Sequence, residues 1–135
     1  RPALNLGTDR EKIARVLFRG QTVAASQPTP RIAAGFDPAL RAWPYDPAEA
    51  RRLLAEAGYA SGLRLTAEVV VGSGANDALA YQSVAADLRA IGVELTLRTI
   101  PAAVLIRNVF GGGWRGDLFG MDYGTLPTLD AVRPF

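Results

Sequence analysis

The 135-residue chain has no histidine and no cysteine, and Lys12 is its single lysine. Without cysteine there can be no disulfide framework, no thiolate nucleophile and no thiolate metal site. Without histidine, the commonest general base and metal ligand near neutral pH is missing. No run of about eighteen apolar residues occurs, which excludes a membrane-spanning helix, and no segment reads as a signal peptide. Excess charge of one sign is also lacking: fifteen basic and thirteen acidic residues leave a formal +2. The arginines are scattered, and the one adjacent pair, Arg51-Arg52, stands beside Glu49 and Glu56 as on a solvated helix face. No basic run is interleaved with aromatic residues, so a nucleic-acid partner is not expected.

What is present describes a folded domain. Apolar residues make up 49%, and the 14 glycines and 9 prolines cluster between periodic segments. Thr8 and Glu11 have the spacing of a capping box before a helical face of Ile13, Val16 and Leu17, closed at Gly20. Residues 21–44 carry no sustained period and form a long loop. Asp46-Pro47-Ala48-Glu49 is a helix start in which Asp46 caps, Pro47 fits the first turn and Glu49 completes a reciprocal cap. Ala50, Leu53, Leu54 and Ala57 form the stripe of that helix, and Gly58 ends it.

Alternation then predicts strands over 63–71, 93–99 and 117–121. In the first, Leu63, Leu65, Ala67, Val69 and Val71 point one way and Arg64, Thr66 and Glu68 the other. Helices over about 76–90, with Tyr81, Val84, Ala85 and Leu88 on one face, and from Pro101 to Gly111-Gly112-Gly113 separate the strands. Strands joined through helices lie parallel, so the fold class is α/β with a mostly parallel sheet and helical crossovers. Ligands of such sheets meet the loops beyond the carboxyl ends of the strands, here 72–76, 99–102 and 122–125.

Catalytic equipment is sparse. Gly72-Ser73-Gly74 lacks the remaining glycine of a dinucleotide fingerprint and is followed by no lysine-serine or lysine-threonine pair. It reads either as a tight strand-to-helix turn or as an anion contact at a helix start. Ser73 has no histidine to activate it, Lys12 falls on an ordinary helix surface, and no spacing enforces a carboxylate pair from Asp37, Asp46, Asp117 or Asp122. No metal, no cofactor and no enzymatic activity are expected. Trp43 and Tyr45 pack the long loop onto the domain or touch a ligand, and Tyr123 invites the same two readings.

Three ordered motifs resemble one family. Arg1 to Ile13 (RPALNLGTDREKI) is similar to an RxAlnxAiDRexI stretch, Tyr45 to Tyr59 (YDPAEARRLLAEAGY) to YDPexAkxLLaeAGy, and Ala90 to Leu95 (AIGVEL) to aiGikvel. These motifs occur in the family 5 extracellular solute-binding proteins, the peptide- and nickel-type receptors of ABC importers. The resemblance implies that residues 1–135 are most of the second α/β lobe of a two-lobed receptor, periplasmic or extracellular, with the first lobe lying outside this sequence. The segment 122–135 would return toward that lobe. The implied partners are a small-molecule or peptide ligand and, through the full-length parent, an ABC permease. Where the family often carries GWxxDxxDPDN, Gly120 to Thr128 (GMDYGTLPT) stands, with Met121 at the tryptophan position and Gly124 at that of the amino-group-binding aspartate. Met121, Asp122 and Tyr123 are the leading ligand contacts expected here, with backbone donors from Gly72, Ser73 and Gly74. The alternative is a non-enzymatic α/β protein-interaction module.

Overall fold

Two alternating segments, 63–69 and 93–99, cannot meet as a hairpin, because a fourteen-residue helix separates them. The computed structural model describes residues 1–72, 76–113 and 115–120. In chain order these form α1 (Pro2–Leu6), α2 (Arg10–Leu17), α3 (Pro47–Glu56), β1 (Leu63–Val69), α4 (Asp77–Ala90), β2 (Val93–Thr99), α5 (Ala102–Gly111) and β3 (Leu118–Gly120). The sheet order is β2-β1-β3, with both outer strands parallel to β1. This is the expected α/β arrangement; β1 ends at Val69 rather than at 71.

The main core lies on one face of this sheet. Ala3 and Leu6 of α1, Ala50 and Leu54 of α3, Leu88 of α4, Ile91 and Val93 are buried together, with Leu63, Leu65, Val84 and Leu95 packed against them. Sequence periodicity does not reveal α1, whose five residues are too few to display a helical period and which has no side-chain cap. Its position is set by packing and by the Asp46 N–H, which donates to the Leu6 carbonyl at 2.9 Å. Gly7 follows because a Cβ there would lie 2.4 Å from Cδ1 of Ile91.

The expected caps are half right. Asp46 accepts the Glu49 N–H at 2.9 Å, and Pro47 opens α3. Glu49 does not close a reciprocal cap, since the Asp46 N–H is already given to Leu6; it pairs with Arg52 instead. For α2 the cap is Asp9, not Thr8: Asp9 accepts the Lys12 N–H at 2.9 Å. The Thr8 hydroxyl turns back to the Leu4 carbonyl at 2.9 Å, because α1 occupies the preceding turn. Nor does Glu11 reach back, for the Thr8 N–H donates to the Asn5 carbonyl at 3.5 Å; the next N–H, of Asp9, donates to the Asp87 carboxylate of α4 at 3.0 Å. Asp87 is buried and also stands 3.4 Å from Nζ of Lys12, so that lysine, on the exposed helix surface as expected, also joins two helices.

The other face of the sheet is polar. Arg64, Thr66 and Glu68 of β1 stand level with Glu94, Thr96 and Arg98 of β2. The Arg64–Glu94 pair, at 3.1 Å, is exposed as alternation predicts. Glu68 is not: it points to the expected face but is completely buried there. Asn108 of α5 reaches it at 3.5 Å, and a Cβ on Gly116 would be 3.3 Å from its Cγ, so the chain after β2 closes over this end of the polar face.

Candidate ligand site at the carboxyl ends of the strands

Because the strands are parallel, Val69, Thr99 and Gly120 leave the sheet at one edge. The chain segments remain joined as they leave: Ile100 N–H donates to the Val69 carbonyl at 3.0 Å, and Val70 N–H to the Gly120 carbonyl at 3.4 Å. Thr99, which opens one of the three loops that sequence reasoning marked for ligand contact, lies at this edge, and β1 and β3 end here ahead of the other two, whose residues 73–75 and 122–125 lie outside the described residues.

Gly72 lies just beyond β1, exposed and with φ of 96°, a conformation that disfavours any residue with a Cβ. Ser73 and Gly74, and likewise Met121, Asp122 and Tyr123, lie outside the described residues. Gly120 has a steric reason for its identity: a Cβ there would meet Cε1 of Tyr81 at 2.5 Å. The Tyr81 side chain of α4 therefore comes up against the end of the last strand. Asp117 serves the sheet rather than a ligand, its carboxylate accepting the Thr66 N–H at 2.8 Å while its own N–H returns to the Thr66 carbonyl at 2.8 Å.

Sequence reasoning missed the strongest electrostatic feature of this edge. The buried Glu68 carboxylate takes Arg98 on one oxygen and Asn108 on the other. A carboxylate removed from water requires such partners, since an isolated one would be several kcal/mol unfavourable, roughly. Arg98 itself stays 46% exposed at its side chain. The signal available in sequence was a glutamate near the end of a central strand, but nothing local marks which face that end buries.

Away from this edge, a concavity of about 440 Å³ lies between α2, α4 and the long loop, lined by Ile13, Phe18, Val23 and Val84 among others. Its charged member, Arg10, donates to the Asn5 carbonyl at 2.8 Å, and burial lowers its pKa from the usual arginine value. Trp43 and Tyr45 line a smaller recess of about 170 Å³ beside Arg10 and are both about half exposed. Among the described residues no group of three or more histidine, cysteine or acidic side chains is placed to hold a metal ion, and no helix is long and apolar enough to cross a membrane.

The family model of the bacterial extracellular solute-binding proteins, family 5, middle region, matches residues 1–132. The chain belongs to this family. Members of family 5 are solute-binding proteins. Di/tripeptide-binding protein 2 of Pseudomonas aeruginosa is 31% identical over 126 residues, 87% of this chain and 24% of its own length. Heme-binding protein A of Haemophilus influenzae is 30% identical over 96% of this chain and 25% of its own. A crystal structure of the dipeptide-binding protein of Pseudoalteromonas sp. SM9913 in complex with Met-Leu superimposes with a TM-score of 0.85, at 26% identity, over 99% of this chain and 26% of that one. The family 5 chain described here thus spans about a quarter of the length of the relatives it matches.

Proposed function

We propose that residues 1–135 form one lobe of a receptor that reversibly binds a peptide or peptide-like solute outside the cytoplasmic membrane and delivers it to an ABC permease. The observation that carries this reading is the superposition on a dipeptide-binding protein over 99% of the chain with a TM-score of 0.85. In it, 21–44 is a connecting loop and 122–135 leads back toward the other lobe. The lobe holds its ligand without chemistry, in keeping with a sequence that has neither histidine nor cysteine.

The ligand belongs at the carboxyl edge of the sheet. Met121 supplies an adaptable apolar wall, Asp122 a hydrogen-bond acceptor, Tyr123 a flat face with a hydroxyl, and the turn at Gly72, Ser73 and Gly74 backbone N–H donors. Two lobes that close on a ligand share its contacts, so the isolated lobe binds weakly.

Calorimetric titration of the full-length receptor with di- and tripeptides, and with haem as competitor, tests the reading. Saturable heat with a short peptide is the expected result. A folded receptor that ignores peptides but takes haem would retain the family and replace the solute. One that turns over a substrate would overturn the transport role.

A further inference from the structure

Glu68 is completely buried, on the polar face of a sheet that already has its apolar core on the other side. An apolar residue would fill the same space with less desolvation, and buried ion pairs of this kind are often no more stable than apolar replacements. Stability alone therefore does not account for the pair. What Glu68 achieves is to hold Arg98: the register places the two residues opposite each other, and one guanidinium Nη binds the carboxylate. The Arg98 side chain remains 46% exposed, and a guanidinium has five donors in a planar fork, of which one nitrogen is engaged among the described residues, so donors are left for another acceptor.

The position is as telling as the chemistry. Glu68 and Arg98 each stand one residue before the ends of β1 and β2, at Val69 and Thr99, beside the edge assigned above to the ligand. The acid nearest in sequence before Gly120, Asp117, has its carboxylate occupied by the Thr66 N–H, so the exposed part of Arg98 is open to an anion from outside the chain.

We propose that Arg98, oriented by Glu68 and Asn108, is a specificity-determining residue that binds a carboxylate of the solute. This deepens the receptor reading and rests on it. Glu68 and Asn108 are positioning residues, since they act through Arg98 rather than on the ligand.

The test compares methionyl-leucine with its C-terminal amide, titrated into the full-length receptor. The unmodified receptor should prefer the free acid by about tenfold or more, the scale of one charge-assisted contact. Arg98→Lys keeps a cation for Glu68 but has no planar second edge; the double change Glu68→Leu with Arg98→Met leaves no carboxylate buried alone. Both should bring the acid-to-amide ratio close to one with amide affinity unchanged, whereas Arg64→Lys, in the exposed pair at the other end of the same face, should leave the ratio intact. Survival of the ratio in both Arg98 variants would overturn the assignment. So would equal weakening of acid and amide, which marks a merely structural residue, or an unmodified receptor indifferent to the carboxylate. A receptor that binds neither peptide would bring down the peptide reading itself, and this assignment with it.

Discussion

Glu68 of β1 and Arg98 of β2 face each other at one level of the sheet, the glutamate side chain wholly buried and the arginine side chain about half exposed. Two residues back along each strand Thr66 stands level with Thr96, and two further back Arg64 with Glu94. The charge order is thus Arg-Thr-Glu on one strand and Glu-Thr-Arg on the next. Paired parallel, every charge meets its opposite. Turned antiparallel about the same threonines, Arg64 would meet Arg98 and Glu68 would meet Glu94. Each such pair is worth about 0.2–1 kcal/mol, with the sign reversed for like charges. The polar face therefore favours the same strand direction as the helical crossover.

Removing Arg98 alone, as Arg98→Met, should destabilise the fold by on the order of 3 kcal/mol by leaving Glu68 buried without its cation. The double change Glu68→Leu with Arg98→Met should recover most of that loss. Chemical denaturation of the four members of this cycle measures it. A single variant as stable as the unmodified protein would mean that Glu68 is protonated or hydrated in place.

Gly7 and Ile91 form a second coupled pair. Gly7→Ala would set a methyl 2.4 Å from Ile91 Cδ1, and Ile91 is only 4% exposed, so the side chain has little room to yield. A cost of about 1–3 kcal/mol is expected. Ile91→Val removes Cδ1, so the double variant should be more stable than the two separate losses added together. Additive thermal shifts would show that Ile91 simply rotates away.

The two helix caps can be compared directly. Asp46→Ala and Asp9→Ala should each lower stability by about 0.5–2 kcal/mol, through loss of the bonds to the Glu49 and Lys12 N–H groups. Thr8→Val should not reproduce the loss of a cap, because the Thr8 hydroxyl bonds to a carbonyl of the preceding turn. Hydrogen exchange at the amides of Lys12 and Glu49 distinguishes the cases: protection should fall in the aspartate variants and persist in Thr8→Val.

Glu49 titrates below the usual carboxylate range because Arg52 donates to it, and the same carboxylate holds Arg52 above its ordinary value. A depressed folded-state pKa means that the contribution is present above the ordinary glutamate pKa and is lost as pH falls through the lowered one. Both groups are solvated, so the effect on stability should be small. NMR titration of the Glu49 carboxyl should show its midpoint rising toward the ordinary value in Arg52→Met. An unmoved midpoint would indicate that the pair does not persist in solution.

The strand and helix periods, the Asp46-Pro47 helix start and the three family motifs were readable because each is written in residues close together along the chain. The parallel direction was readable too, from the crossover helix; the mirrored charges of 64–68 and 94–98 agree with it once the register is known. Other features had no local trace. Asp9 caps α2 instead of Thr8 because α1, itself too short to show a period, takes up the Thr8 hydroxyl, and Asp87, seventy-eight residues away, fixes Asp9 by accepting its N–H. Glu49 cannot close its box because Leu6 already holds the Asp46 N–H. Glu68 alternates as a solvent-facing residue should, yet it is buried, since burial depends on what later segments lay over a strand. Period and capping spacing are properties of the chain's own geometry, so sequence alone determined them; which donor is already occupied, and which face is covered, was decided only when distant segments packed together.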